Sequence, residues 1–132
     1  IIFGALVSGL DAGNIYQTWP LMGDYYFPND TTVNYISDII NFKNHSLVQF
    51  YHRNLAYFIT FYILALNFFI YERKIKNLFN PMKFLLLSLI LQIILGILTL
   101  MSSLNIYLAS AHQISSVILV FSSINLYYFR SK

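Results

Sequence analysis

The stretch Phe84-Leu85-Leu86-Leu87-Ser88-Leu89-Ile90-Leu91-Gln92-Ile93-Ile94-Leu95-Gly96-Ile97-Leu98-Thr99-Leu100-Met101 carries no charged side chain along its length. A helix rising about 1.5 Å per residue needs an apolar run of about 20 residues to cross a hydrocarbon core of about 30 Å. This run meets that need closely. A similar span precedes it from Leu47 to Tyr71, and another, Tyr107 to Phe129, follows a short turn at Ser102 to Ile106. Pro81 stands at the mouth of the central span, where a helix accepts proline. The fold class expected is all-α, an integral membrane helix bundle.

The composition agrees. Of 132 residues, 58% are hydrophobic and 10% charged, and the mean hydropathy is +0.61. A soluble domain would carry about 25% charged residues. Spans at 47–71, 84–101 and 107–129 consume most of the chain, so residues 1–132 form a single membrane domain with no separate soluble part. The opening Ile1 to Leu10 lacks the basic start and cleavage site of a signal peptide and reads as the end of another transmembrane helix, residues 1–10. The expectation is three complete transmembrane helices plus the end of a fourth, with the beginning of that fourth missing from the sequence.

Residues 11–46 form a long outer loop, punctuated by Gly13, Gly23, Pro20, Pro28 and a polar cluster at Asn29 to Thr32. Its length is that of a functional lid, and the amphipathic segment from Tyr35 to Phe42 suits a short surface helix.

The net charge is +3, yet Lys and Arg do not gather on a polar face, so a nucleic-acid partner is not expected. They mark helix ends instead. Arg73, Lys74, Lys76 and Lys83 crowd one connection, and Arg130 and Lys132 share its side, which the positive-inside rule makes cytoplasmic. The opposite loop holds Asp11, Asp24, Asp30 and Asp38 against one cation, Lys43. There is no cysteine, which excludes disulfides, thiolate metal sites and nucleophilic thiols.

Two histidines carry the chemistry. His52 and His112 each lie about one and a half turns into an apolar span, and both spans enter the membrane from the outer side. A lone histidine in a membrane can simply hydrogen-bond across a helix pair. Two at matched depth favour a shared ligand, because a buried ionisable group in hydrocarbon needs a partner. Zinc usually takes four ligands, and the spans offer no supporting Cys, Asp or Glu. Neutral imidazole is also a regular axial ligand of haem iron, so haem is favoured over zinc. Arg53 suits either a haem propionate or a lipid phosphate. His45 is expected to be exposed in the loop, and Gln92, Gly96, Asn67 and Asn125 are expected to serve helix packing. No phosphate loop, catalytic triad or paired-carboxylate pattern occurs.

The run Gly4 to Gly13, followed by Asn14 to Asp24, resembles the haem A synthase family, and the resemblance continues through Val48 to Arg53, Gln92 to Thr99 and Leu108 to Gln113. It covers nearly the whole chain. The resemblance implies half of an eight-helix, two-repeat fold, here the C-terminal half. It also implies that His52 and His112 are the axial ligands of a resident haem b. The implied reaction is oxidation of the C8 methyl of haem O to a formyl group, giving haem A. Its substrate site would lie in the other half, so no catalytic residue is expected in this chain. The implied setting is the lipid bilayer of a bacterial cytoplasmic membrane or a mitochondrial inner membrane, with the histidine pair toward the outer side. Haem O synthase is an expected partner, and the resemblance names no electron acceptor. Two other readings remain open at the level of sequence: a bis-histidine membrane cytochrome b-type electron-transfer protein, and a membrane scaffold without haem.

Overall fold

A computed structural model describes residues 1–131, so the expectation that Lys132 lies on the cytoplasmic side falls outside the described residues. The chain is almost wholly helical: α1 spans Ile2–Gly9, α2 Ile36–Ile39, α3 His45–Glu72, α4 Phe79–Met101 and α5 Ile106–Arg130. Single 3-10 turns occupy Ala12–Asn14 and Lys76–Leu78. No strand forms among the described residues; Met22 and Tyr25 make one isolated bridge.

Local chemistry sets the helix starts. Asn44 accepts a hydrogen bond from the Leu47 amide at 3.1 Å, and Asn105 accepts from the Tyr107 amide at 3.0 Å. Each asparagine satisfies an amide that the first turn of a helix leaves without a partner. Pro81 falls in the first turn of α4, where its missing N–H removes no intrahelical bond. The helices α3, α4 and α5 are long and apolar enough to cross a membrane. Their outward faces are apolar too, with Phe61 72% exposed, Leu87 66% and Phe121 63%. Such surface is stable facing lipid and not facing water. The chain is an integral membrane protein.

The core is not spread evenly along the helices. Ile63 and Ile70 of α3, Met82, Leu85 and Leu89 of α4, and Leu126 of α5 form one buried cluster. All of these lie toward the end of the bundle that carries Arg73, Lys74, Lys76 and Lys83. There α4 and α5 are also held by a buried hydrogen bond between the Ser88 and Ser122 hydroxyls at 2.8 Å, a contact that small residues permit between closely packed helices. Toward the opposite end the bundle divides into two pairs, α1 against α3 and α4 against α5. The histidines lie at this divided end.

The connection over the divided end is tied down at several points. The buried Gln49 side chain donates to the Tyr16 carbonyl at 2.8 Å. The Tyr16 hydroxyl lies 2.8 Å from an Asp30 carboxylate oxygen, and Ser46 at the start of α3 donates to the other oxygen at 2.6 Å. Leu104, in the turn between α4 and α5, adopts the left-handed φ of 60° and lays its side chain over Gly13. A Cβ at position 13 would stand 2.8 Å from Leu104 Cδ2, so the close approach depends on glycine. Within the connection the amphipathic segment contributes only the single-turn helix α2.

The Asp30 cluster makes this cover pH-sensitive in a defined direction. Partial burial opposes the charge on Asp30, but donation from Ser46 and Tyr16 outweighs it and holds the carboxyl below its ordinary value. Burial and the neighbouring carboxylate push the Tyr16 phenol above 10.0. The stability contributed by Asp30 is therefore present above the unfolded carboxyl value and lost as pH falls through the depressed one. That from Tyr16 is present below pH 10 and lost as pH rises through the elevated one. Hydrogen exchange of the amides at 16–31 is expected to accelerate outside this window, and in Asp30→Asn the acid limb of the profile should disappear.

Candidate functional site

His52 lies on α3 and His112 on α5, helices that run in the same direction, at depths of about 10 Å and about 9 Å from their first residues at 1.5 Å per residue. Both rings are half-buried and close enough to repel each other if both were charged. Each imidazole rests against a glycine of the other helix in its pair. A Cβ on Gly4 of α1 would lie 3.7 Å from His52 Cε1, and one on Gly96 of α4 would lie 2.9 Å from His112 Cε1. The site thus has a matched construction: one histidine and one glycine from each helix pair.

The two rings differ in their partners. His52 makes no hydrogen bond among the described residues. The Nε2 atom of His112 lies 3.3 Å from the Gln92 amide, and the far side of that amide meets the Ser115 hydroxyl. Nδ1 of His112 is buried without a partner. An unpaired buried polar group costs about 1–3 kcal/mol, so this atom is a place where a ligand would be welcome.

The donor set discriminates between groups. Among the described residues, no cluster of three or more His, Cys, Asp or Glu side chains stands ready to hold a metal ion. Two imidazoles alone are too few for a zinc site. A haem brings four nitrogens in its macrocycle and needs only axial ligands from the protein, for which neutral imidazole is well suited. The residues present fit a haem.

Arg53 takes neither of the roles that its position in the sequence suggested. Its guanidinium donates to the carbonyls of Tyr16 at 2.9 Å, Thr18 at 2.8 Å and Leu21 at 3.1 Å. It fastens the loop beside the site, next to the cis Trp19-Pro20 bond. The sequence holds no signal for this, because the acceptors are backbone atoms more than 30 residues away. Arg53→Met, which keeps an apolar stem but no donors, is expected to release residues 16–21 while leaving helicity intact. Hydrogen bonds to a charged group contribute about 1.5–3 kcal/mol each, so exchange at those amides should quicken by about tenfold or more. Unchanged protection would show that other contacts hold the segment.

His45, expected in the loop, is instead the first residue of α3, and it is exposed. Gln92 and Gly96 do more than pack helices, since both touch His112. Their spacing of one turn, on the helix paired with α5, was the available signal. Asn67 Oδ1 is buried without a partner among the described residues.

A family model described as cytochrome oxidase assembly protein, COX15-CtaA, matches residues 1–124. The chain is 39% identical over 122 residues to a protein named heme A synthase from Pelagibacter ubique (strain HTCC1062), covering 92% of this chain and 36% of that protein. It is 42% identical over 125 residues to the heme A synthase of Wolbachia pipientis wMel, covering 94% and 34%. It is 37% identical over 120 residues to that of Rickettsia canadensis (strain McKiel), covering 91% and 35%. The chain spans about a third of the length of the curated relatives it matches. No solved structure matches it. With a membrane helix bundle, an outer histidine pair and a family match over nearly its whole length, the chain belongs to the COX15-CtaA family of cytochrome oxidase assembly proteins.

Proposed function

We propose that this chain is the haem b-holding part of a haem A synthase-type membrane oxidoreductase, one four-helix half of an eight-helix, two-repeat fold. The observation that carries this reading is the pair His52 and His112, held at matched depth on parallel helices where the bundle divides. The relatives named heme A synthase direct it to that chemistry. In the overall reaction the C8 methyl of haem O becomes a formyl group, and the substrate is received mainly by the other half. Bound haem b would supply a one-electron iron centre.

The chain's own residues do the holding. His52 and His112 present neutral imidazoles from α3 and α5, and Gly4 and Gly96 leave their rings room against α1 and α4. The loop fastened by Arg53, Gln49 and Asp30 covers the outer end and limits access of water to the histidines. The basic connection at Arg73 to Lys83 sets the opposite end on the cytoplasmic side, which turns the pair toward the outer face of a bacterial cytoplasmic or mitochondrial inner membrane. Haem O synthase, as the source of the substrate, is a fitting partner.

The test is conversion by the full-length protein in membranes supplied with haem O, followed by chromatography of the extracted haems. Formation of haem A that is lost in His52→Ala and His112→Ala supports the reading. Reversible haem redox chemistry with no conversion favours the electron-transfer cytochrome instead.

A further inference from the structure

We propose that Gln92, braced by Ser115, is a positioning residue for His112: its amide accepts the proton of one ring nitrogen and thereby leaves the other as the lone pair for iron. This rests on the reading of His52 and His112 as the haem pair. The geometry is a chain of three side chains across α4 and α5. Nε2 of His112 lies 3.3 Å from the Gln92 amide, the other atom of that amide meets the Ser115 hydroxyl, and the same hydroxyl lies 2.9 Å from the His112 carbonyl oxygen.

Counting protons decides between the two ways of wiring it. Ser115 has one proton and two acceptors within reach, while an amide offers an oxygen acceptor at one end and two N–H donors at the other. In the first arrangement Ser115 donates to the Gln92 oxygen, the Gln92 nitrogen donates to Nε2, and the ring proton must sit on Nδ1. Nδ1 is buried with nothing to accept its proton.

In the second arrangement Ser115 donates to the His112 carbonyl, the Gln92 nitrogen donates to the Ser115 oxygen, and Nε2–H donates to the Gln92 oxygen. No buried N–H of the ring is then left over, and Nδ1 carries a free lone pair. The second arrangement is favoured by the cost of the unmade bond in the first. It is also the arrangement found around metal-bound histidines, whose second nitrogen almost always donates to a fixed acceptor that orients the ring and raises its basicity. Ser115 is buried and Gln92 half-buried, so water does not readily substitute for either.

The experiment is a redox titration and a haem-retention measurement on the membrane-extracted full-length protein and its Gln92→Leu, Gln92→Glu, Ser115→Ala and His112→Ala variants. Leucine removes the acceptor: haem retention should fall by about 10–100-fold, the usual effect of losing such a partner, and the midpoint potential should rise. Glutamate is a stronger acceptor that keeps the shape: haem should be retained and the midpoint should fall. Ser115→Ala should move the midpoint in the same direction as leucine, by less.

A residue that only filled space would not shift the potential in opposite directions in the leucine and glutamate variants. If the leucine variant does not accumulate, the glutamate midpoint decides alone. Wild-type midpoint and retention in Gln92→Glu and Gln92→Leu, with haem lost in His112→Ala, would overturn the inference while leaving the haem pair standing. A wild-type protein without haem, or one indifferent to His112→Ala, would overturn the haem pair itself and this inference with it.

Discussion

His52→Ala and His112→Ala are each expected to abolish stoichiometric low-spin haem in the membrane-extracted protein, with helicity unchanged by circular dichroism. The reason is the poverty of the donor set. His45 is exposed at the start of α3, and among the described residues no cluster of carboxylates and histidines offers a substitute. Substituting second-shell partners of a metal costs about 10–100-fold in affinity, and removing an axial ligand should cost more than that. The single variants should differ in character. Loss of His52 leaves a ring still oriented by Gln92, whereas loss of His112 leaves a ring with no hydrogen-bond partner of its own. Residual five-coordinate, high-spin haem is therefore expected to be greater in His52→Ala. Full haem content in either variant, read from the pyridine haemochrome, would remove that histidine from the site.

Gly96→Ala is expected to damage the site although it adds one methyl group to a helix that would otherwise welcome it. Alanine in place of glycine usually stabilises a helix interior by about 1 kcal/mol. At position 96 the new Cβ would stand 2.9 Å from His112 Cε1, closer than carbon atoms tolerate, and the nearest thing able to move is the imidazole. Displacing it breaks the contact with Gln92, and haem retention should fall by about tenfold or more, the lower end of the loss expected for an orienting partner. The other helical glycines grade the effect. At Gly4 the added Cβ would meet His52 Cε1 at an ordinary 3.7 Å, and at Gly9 it would meet nothing within 4 Å. Thermal stability should therefore hold in Gly4→Ala and Gly9→Ala, with haem retained in both. Equal haem loss in all three would point to helix packing in general, and retention in Gly96→Ala would separate His112 from the site.

The spans were legible because hydrocarbon imposes a simple rule on a sequence: about 20 residues without charge, ended by cations and turn formers. Leu47 to Tyr71, Phe84 to Met101 and Tyr107 to Phe129 obey it, and long apolar helices lie over all three. The histidines were legible for the same reason, since an imidazole in such a run stands out. What surrounds them was not. Gln92 and Ser115 reach His112 from positions 20 residues upstream and three downstream, and only the pairing of α4 with α5 brings the three together. The loop was the least legible part. Its structure depends on Arg53 and Gln49 finding backbone carbonyls far along the chain and on a carboxylate at Asp30 gathering Tyr16 and Ser46. Backbone acceptors leave no trace in residue types, so its length and turn formers indicate a connection without indicating its anchors.

The central claim, that His52 and His112 share one haem iron as axial ligands, is tested most directly by near-infrared magnetic circular dichroism of the oxidised full-length protein beside its His112→Met variant. The ligand-to-iron charge-transfer band reports the axial pair. The account predicts a bis-imidazole band in the wild type that moves to the histidine–methionine position, or collapses to a high-spin signature, in the variant. A bis-imidazole band that is unchanged by His112→Met would contradict it, as would a wild-type spectrum with one imidazole ligand or none.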